Sequence, residues 1–135
     1  MIVADATLIT HLCVDGDFTS LAEAVLKQDP AWVAPMLWRS EVRSALASYL
    51  RQGWMDLESI TVSWHIAEEV IAGREYSVDA RKVLELVARS KCSAYDCEYV
   101  ALAQELGVTL VTADRQLLKA FPKIAASLEK FTKRK

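Results

Sequence analysis

Short apolar runs alternate along the chain with longer stretches in which apolar residues return every third or fourth position. Ile2-Val3-Ala4 predicts a short buried strand over residues 1–4, and a helix starts after Asp5. A second helix is predicted over 18–28, where Ser20 and Glu23 have the spacing of a capping box and Pro30 ends the segment. Ala31-Trp32-Val33-Ala34, closed by Pro35, predicts a second strand. Over 36–52, Trp38, Val42, Ala45, Leu46, Tyr49 and Leu50 recur at helical spacing, and Gly53 follows as a C-cap. Further helices are predicted over 56–72, ending at Gly73, over 78–90, capped by Ser77, and from Ser93 to Leu106, with Gly107 at the end. Val108-Thr109-Leu110-Val111-Thr112 is β-branched and apolar and gives the strongest strand signal in the chain. A short helix follows Asp114 and stops near Pro122, and Ser127–Phe131 is expected to form a last edge strand. Lys133-Arg134-Lys135 is a basic tail, expected to be a frayed, solvated end.

Strands that alternate with helices predict an α/β sandwich with a mainly parallel sheet. The strand runs lack a clear polar alternation, as expected when helices cover both faces of a sheet. The 135 residues show no linker, low-complexity segment or repeat, so a single domain over 1–135 is expected.

Composition narrows the function classes. Hydrophobic residues make up 53% and charged residues 25%, a globular balance. The net charge of -2 argues against nucleic-acid binding by bulk positive charge and leaves room for a local basic patch. Cys13, Cys92 and Cys97 are an odd set without paired spacing, which predicts free thiols in a reducing compartment. Cys92 and Cys97 do not form a CxxC pair, and the two histidines, His11 and His65, lie far from them, so no zinc site is expected. No stretch approaches the ~20 apolar residues of a membrane span, and no basic region precedes an apolar leader at the N-terminus. A cytoplasmic protein is expected.

Four acidic residues stand where chemistry is expected. In an open parallel sheet, ligands bind beyond the carboxyl ends of the strands. Asp5 follows the first strand and Asp114 the strand at 108–112. Glu41 lies one turn beyond Trp38 and one turn before Ala45, so it borders the apolar face of a helix that starts just after the second strand. Asp96 lies in the first turn of the helix that Ser93 begins. Taken singly, each has a structural explanation: Asp5 and Asp114 are good N-caps, Ser93 and Asp96 have capping-box spacing, and Glu41 fits a solvated helix face. Taken together they repel, since a like-charged pair ~4 Å apart at an effective dielectric of ~20 costs ~4 kcal/mol. Bases, raised pKa values or a cation must offset that cost. An all-oxygen donor set suits a hard cation, Mg²⁺ or Mn²⁺.

The chain resembles the PIN domain family and, within it, the VapC-type toxins. The resemblance rests on IVADATLI at the start, WRSEV around Glu41, AYDCEYVALAQELG around Asp96 and LVTADRQLL around Asp114, in family order over essentially the whole chain. It implies a three-layer sandwich with a mainly parallel sheet flanked by helices. It also implies an acidic pocket for Mg²⁺ or Mn²⁺ and endoribonuclease activity held in check by a cognate antitoxin. Asp5, Glu41, Asp96 and Asp114 carry over as the acidic set. Asp5, Asp96 and Asp114 are the expected ligands, and Glu41 is either a ligand or the group that orients or deprotonates water. Thr112 matches the family's small hydroxyl before the last aspartate, and Thr7 stands where serine is commoner. Arg43 and Arg115 are candidate RNA contacts, and the Trp- and Leu-rich helices 36–52 and 56–72 suggest a homodimer, with Trp54 an interface candidate. The rival readings are a catalytically inactive PIN-like module that binds RNA or a protein partner, and a phosphoacceptor receiver domain. The latter requires paired acids after the first strand, where this chain has Asp5-Ala6.

Overall fold

The computed structural model describes residues 1–134. Its five strands are β1 (Ile2–Ala4), β2 (Trp32–Pro35), β3 (Glu75–Tyr76), β4 (Leu110–Val111) and β5 (Ala125–Ala126). They form one sheet in the order β3-β2-β1-β4-β5, and every neighbouring pair is parallel. The helices are α1 (Ala6–Cys13), α2 (Thr19–Gln28), α3 (Trp38–Arg51), α4 (Leu57–Ile71), α5 (Ala80–Ala88), α6 (Ala94–Leu106), α7 (Arg115–Ala120) and α8 (Leu128–Thr132).

The three layers follow from side chains that alternate along each strand. Ile2, Ala4, Trp32, Ala34 and Val111 face one core with Leu8, Val25, Val42, Ile71 and Leu128, from α1, α2, α3, α4 and α8. Val3, Val33 and Leu110 face the other core with Leu86, Val100, Leu102 and Leu117, from α5, α6 and α7. Because both faces are apolar, the pleat alternates between two cores and not between core and water, so the strands read as continuous apolar runs. Fully burying one such aliphatic side chain contributes roughly 1.5–3 kcal/mol.

Parallel pairing brings all the carboxyl ends of the strands to one edge. The chain moves from β1 to β2 on one side, and β4 later joins β1 on the other, so the order switches between β1 and β4. Those are the strands that precede Asp5 and Asp114.

Several local expectations need correction. Residues 127–131 are not a strand: Ser127 accepts from the Lys130 N–H at 3.1 Å and starts α8, while the edge strand is Ala125–Ala126. Ser20 and Glu23 form no capping box, because α2 starts at Thr19 after Phe18. The Thr19 hydroxyl instead donates to the Val14 carbonyl at 3.0 Å. Asp79, not Ser77, caps α5. Two-residue β3 lies in a segment for which no strand was expected. In the basic tail, Lys135 lies outside the described residues. Arg134 donates to the Thr109 hydroxyl and lies over the Phe131 ring. Cys13, Cys92 and Cys97 are buried and unpaired. Among the described residues no helix is long and apolar enough to cross a membrane.

Candidate active site

The first carboxylate is set by the shortest route from strand to helix. β1 ends at Ala4, and Asp5 is at once the N-cap of α1, accepting the Leu8 N–H on Oδ1 at 3.0 Å. The Thr7 hydroxyl donates to the same oxygen at 2.7 Å, and the Thr112 hydroxyl, arriving from the end of β4, donates to Oδ2. Asp5 is only 4% exposed. Burial pushes its carboxyl up to about 6, against the pull of the Thr112, Thr7 and Leu8 donors, and the Asp114 charge adds to the rise.

Asp114 stands three residues beyond β4 and caps α7, its Oδ1 accepting from Gln116 and Leu117 at 2.8 and 3.3 Å. It is half-exposed. Its own N–H donates to the Thr112 hydroxyl at 2.9 Å, so Thr112 ties the two aspartate junctions together. Asp96, half-exposed in the first turn of α6, gives its N–H to the Ser93 cap at 3.0 Å. Burial and the Asp114 charge raise its carboxyl. Glu41, half-buried on α3, accepts from the Tyr99 hydroxyl on Oε1 at 2.7 Å. Burial raises its carboxyl, the Tyr99 bond opposes this and the Asp96 charge adds to it.

Charge thus links Asp5 to Asp114, Asp114 to Asp96 and Asp96 to Glu41 along one sheet edge. Glu98 on α6 extends the acidic set, raised by burial and by Glu41. Among the described residues none of these five carboxylates enters an ion pair with a lysine, arginine or histidine. Nor, among them, do three or more acidic, histidine or cysteine side chains stand close enough to hold a metal ion as placed. The donor set therefore suits a hard cation in kind: anionic oxygens, mutually repelling and without basic partners. As placed, the carboxylates do not form a closed cage.

The candidate RNA contacts lie on different elements, Arg43 on α3 and Arg115 at the start of α7. Arg43 projects over the Trp64 ring, 5.5 Å from its centroid, and donates to the Arg39 carbonyl, on the side of α3 that packs on α4. Arg115 is exposed beside Asp114. Trp32 and Trp38 are core residues, Trp64 stacks on Trp38, and Trp54 is 65% exposed against Tyr49. Sequence reasoning did not single out Tyr99 or Glu98. The signal was spacing: Tyr99 follows Asp96 by three residues, one helical turn along the same face of α6.

This edge has a topological switch at its centre and carboxylates from four separate elements around it, the form of a ligand site in an open α/β sheet. The PIN domain family model matches residues 2–124, and the chain belongs to that family. It is 28% identical to Ribonuclease VapC3 of Pyrobaculum aerophilum over 127 residues, which cover 90% of this chain and 95% of that protein. Among solved structures, it is similar to PAE2754 of Pyrobaculum aerophilum, with a TM-score of 0.78 and 21% identity over 97% of this chain and 92% of that one. FitAcB of Neisseria gonorrhoeae superposes with a TM-score of 0.73 and 19% identity, over 96% of this chain and 99% of that one. The fold expected from the sequence is the one these structures share.

Proposed function

We propose that this protein is a divalent-metal-dependent endoribonuclease that hydrolyses RNA phosphodiester bonds, the toxin of a toxin–antitoxin pair. The observation that carries the proposal is the gathering of Asp5, Glu41, Asp96 and Asp114 at one sheet edge, where none of them is ion-paired with a basic side chain among the described residues. Family membership and the likeness to Ribonuclease VapC3 support it. Asp5, Asp96 and Asp114 would hold Mg²⁺ or Mn²⁺, directly or through water. When bound, the ion neutralises phosphate oxygens and lowers the pKa of a water it touches. Thr7 and Thr112 fix the Asp5 carboxylate by hydroxyl donation, so its oxygens are oriented before substrate arrives. Glu41, raised by burial, is suited to orient the attacking water or take its proton. Arg115, exposed next to Asp114, is positioned to meet a phosphate, and Arg43 serves a more distant stretch of RNA.

The test is cleavage of a panel of single-stranded and structured RNAs with Mg²⁺, with Mn²⁺ and with chelator. Cleavage with either ion and none with chelator is expected. RNA binding without cleavage under any condition supports the inactive PIN-like module instead.

A cognate antitoxin that covers the acidic edge, a homodimer and a cytoplasmic location belong to the same reading. Exposed Leu50 on α3 and Leu57, Val62 and Ile66 on α4, with Trp54 between the helices, support an interface on that side. Light scattering at micromolar concentration should give twice the chain mass, and a monomer alone rejects the dimer.

A further inference from the structure

The Tyr99 ring lies in the core on one side of the sheet, whereas α3, which carries Glu41, packs its apolar face on the other side. The 2.7 Å bond from the Tyr99 hydroxyl to Glu41 Oε1 therefore ties the two helical layers together around the carboxyl edge. Tyr99 is 1% exposed, and this is its side chain's sole hydrogen bond among the described residues. A phenol so deeply buried is costly without a partner, and a carboxylate is the strongest acceptor available to it. The Tyr99 hydroxyl also feels the charges of Asp5 and Glu98, so it stands inside the acidic edge and not behind it. Oε1 is committed to Tyr99, while Oε2 has no protein partner among the described residues.

We propose that Tyr99 is the positioning residue for Glu41: it holds Oε1 and leaves Oε2 to address a water at the acidic edge. The proposal rests on the nuclease reading and assigns Glu41 the water-directing one of its two candidate roles. A phenylalanine keeps the ring and the packing and removes only the clamp. Glu41 then swings through several rotamers, and the geometry of the water is lost.

The experiment combines RNA cleavage kinetics with calorimetric titration of Mn²⁺ in wild type, Tyr99→Phe, Glu41→Gln and the double variant. Tyr99→Phe is expected to lower kcat by roughly tenfold or more with KM within about twofold. Mn²⁺ affinity should stay within about twofold of wild type in Tyr99→Phe and fall only about threefold in variants with Glu41→Gln, whose lost charge acts on the ion from a distance while the aspartates hold it. The double variant should lose no more kcat than Glu41→Gln alone, because Tyr99 acts through Glu41. A residue that merely fills the core gives additive losses, and that outcome overturns the proposal. So does full kcat in Tyr99→Phe. So does a roughly tenfold loss of Mn²⁺ affinity in either single variant, which makes Glu41 a ligand. A wild type that cleaves no RNA sinks the nuclease reading itself, and this role with it. A wild type that cleaves beside an equally active Tyr99→Phe sinks the positioning role alone.

Discussion

Asp5 and Asp114 close the same local motif, a strand running into a helix, and both serve as N-caps. Their surroundings differ. Asp5 follows the last residue of β1 directly, at the centre of the sheet, and Thr112 closes over it from β4. Asp114 stands three residues beyond β4, where the chain has already turned towards solvent. A cap requires only one accepting oxygen near the N2 or N3 amide, and a half-exposed aspartate supplies that without burial. Burial of Asp5 adds a desolvation cost that capping does not explain. A serine in the same place caps α1 with no charge to bury. The difference between the two junctions separates what the backbone needs from what the site needs.

The widest separation is expected in catalysis. Asp5→Asn keeps the shape of the buried side chain and an oxygen for the Leu8 N–H, while its amide nitrogen donates to the Thr112 hydroxyl. Asp5→Asn and Asp96→Asn should both retain the fold, read by circular dichroism, and lose RNA cleavage by at least ~100-fold, more than ~2.7 kcal/mol of transition-state stabilisation. Near-full Mg²⁺-dependent activity in either variant removes that residue from the mechanism.

Next in size is the pH dependence of the metal-free protein. Asp5 has a folded-state pKa of about 6 against an ordinary 3.8. Between those values the folded chain binds the proton and the unfolded chain releases it, so stability falls as pH rises through the window. That gap corresponds to about 3 kcal/mol, present below pH 3.8 and lost as pH rises past about 6. Asp5→Asn removes this dependence. In metal-free urea unfolding from pH 4 to 7, the variant should gain on wild type as pH rises and equal or exceed it at pH 7. A constant gap across that range counts against a strained buried carboxylate.

How far such features could be read from the sequence varies along the chain. β1 and β2 were legible because their side chains are apolar on both faces. Gly107, at φ 66°, ends α6 in the left-handed region that an L side chain resists, so that boundary was visible too. β3 was not, since Glu75-Tyr76 has no apolar run and becomes a strand by pairing with Ala34-Pro35. Residues 127–131 misled because a single turn carries little periodicity. Leu128 and Phe131 are three apart and both buried, which is helical spacing, and Ser127 supplies the cap. At the site, residue types identified the acids. Tyr99 escaped because its partner is 58 positions away, on the opposite helical layer. The burial of Asp5 escaped because it depends on the adjacency of β1 and β4.

The smallest effect sharpens the comparison most. Asp114→Ala removes the α7 cap and should cost about 1 kcal/mol without metal. Asp114→Ser retains an accepting oxygen and should recover most of that loss, although it carries no charge. Mg²⁺ at about a hundred times Kd should stabilise wild type by roughly 2.7 kcal/mol if it binds only the folded chain. That gain corresponds to several degrees in the melting midpoint for a domain of this size. Monovalent salt at equal ionic strength should give less, because it only screens. Asp114→Ser and Asp5→Asn should both lose most of the Mg²⁺ shift, although one retains its cap and the other relieves a buried charge. If Asp114 were a cap and nothing more, Asp114→Ser would melt as wild type does with and without Mg²⁺. Thermal melts of these three variants beside wild type, with and without Mg²⁺, therefore distinguish an aspartate that organises a helix from one that also binds the ion.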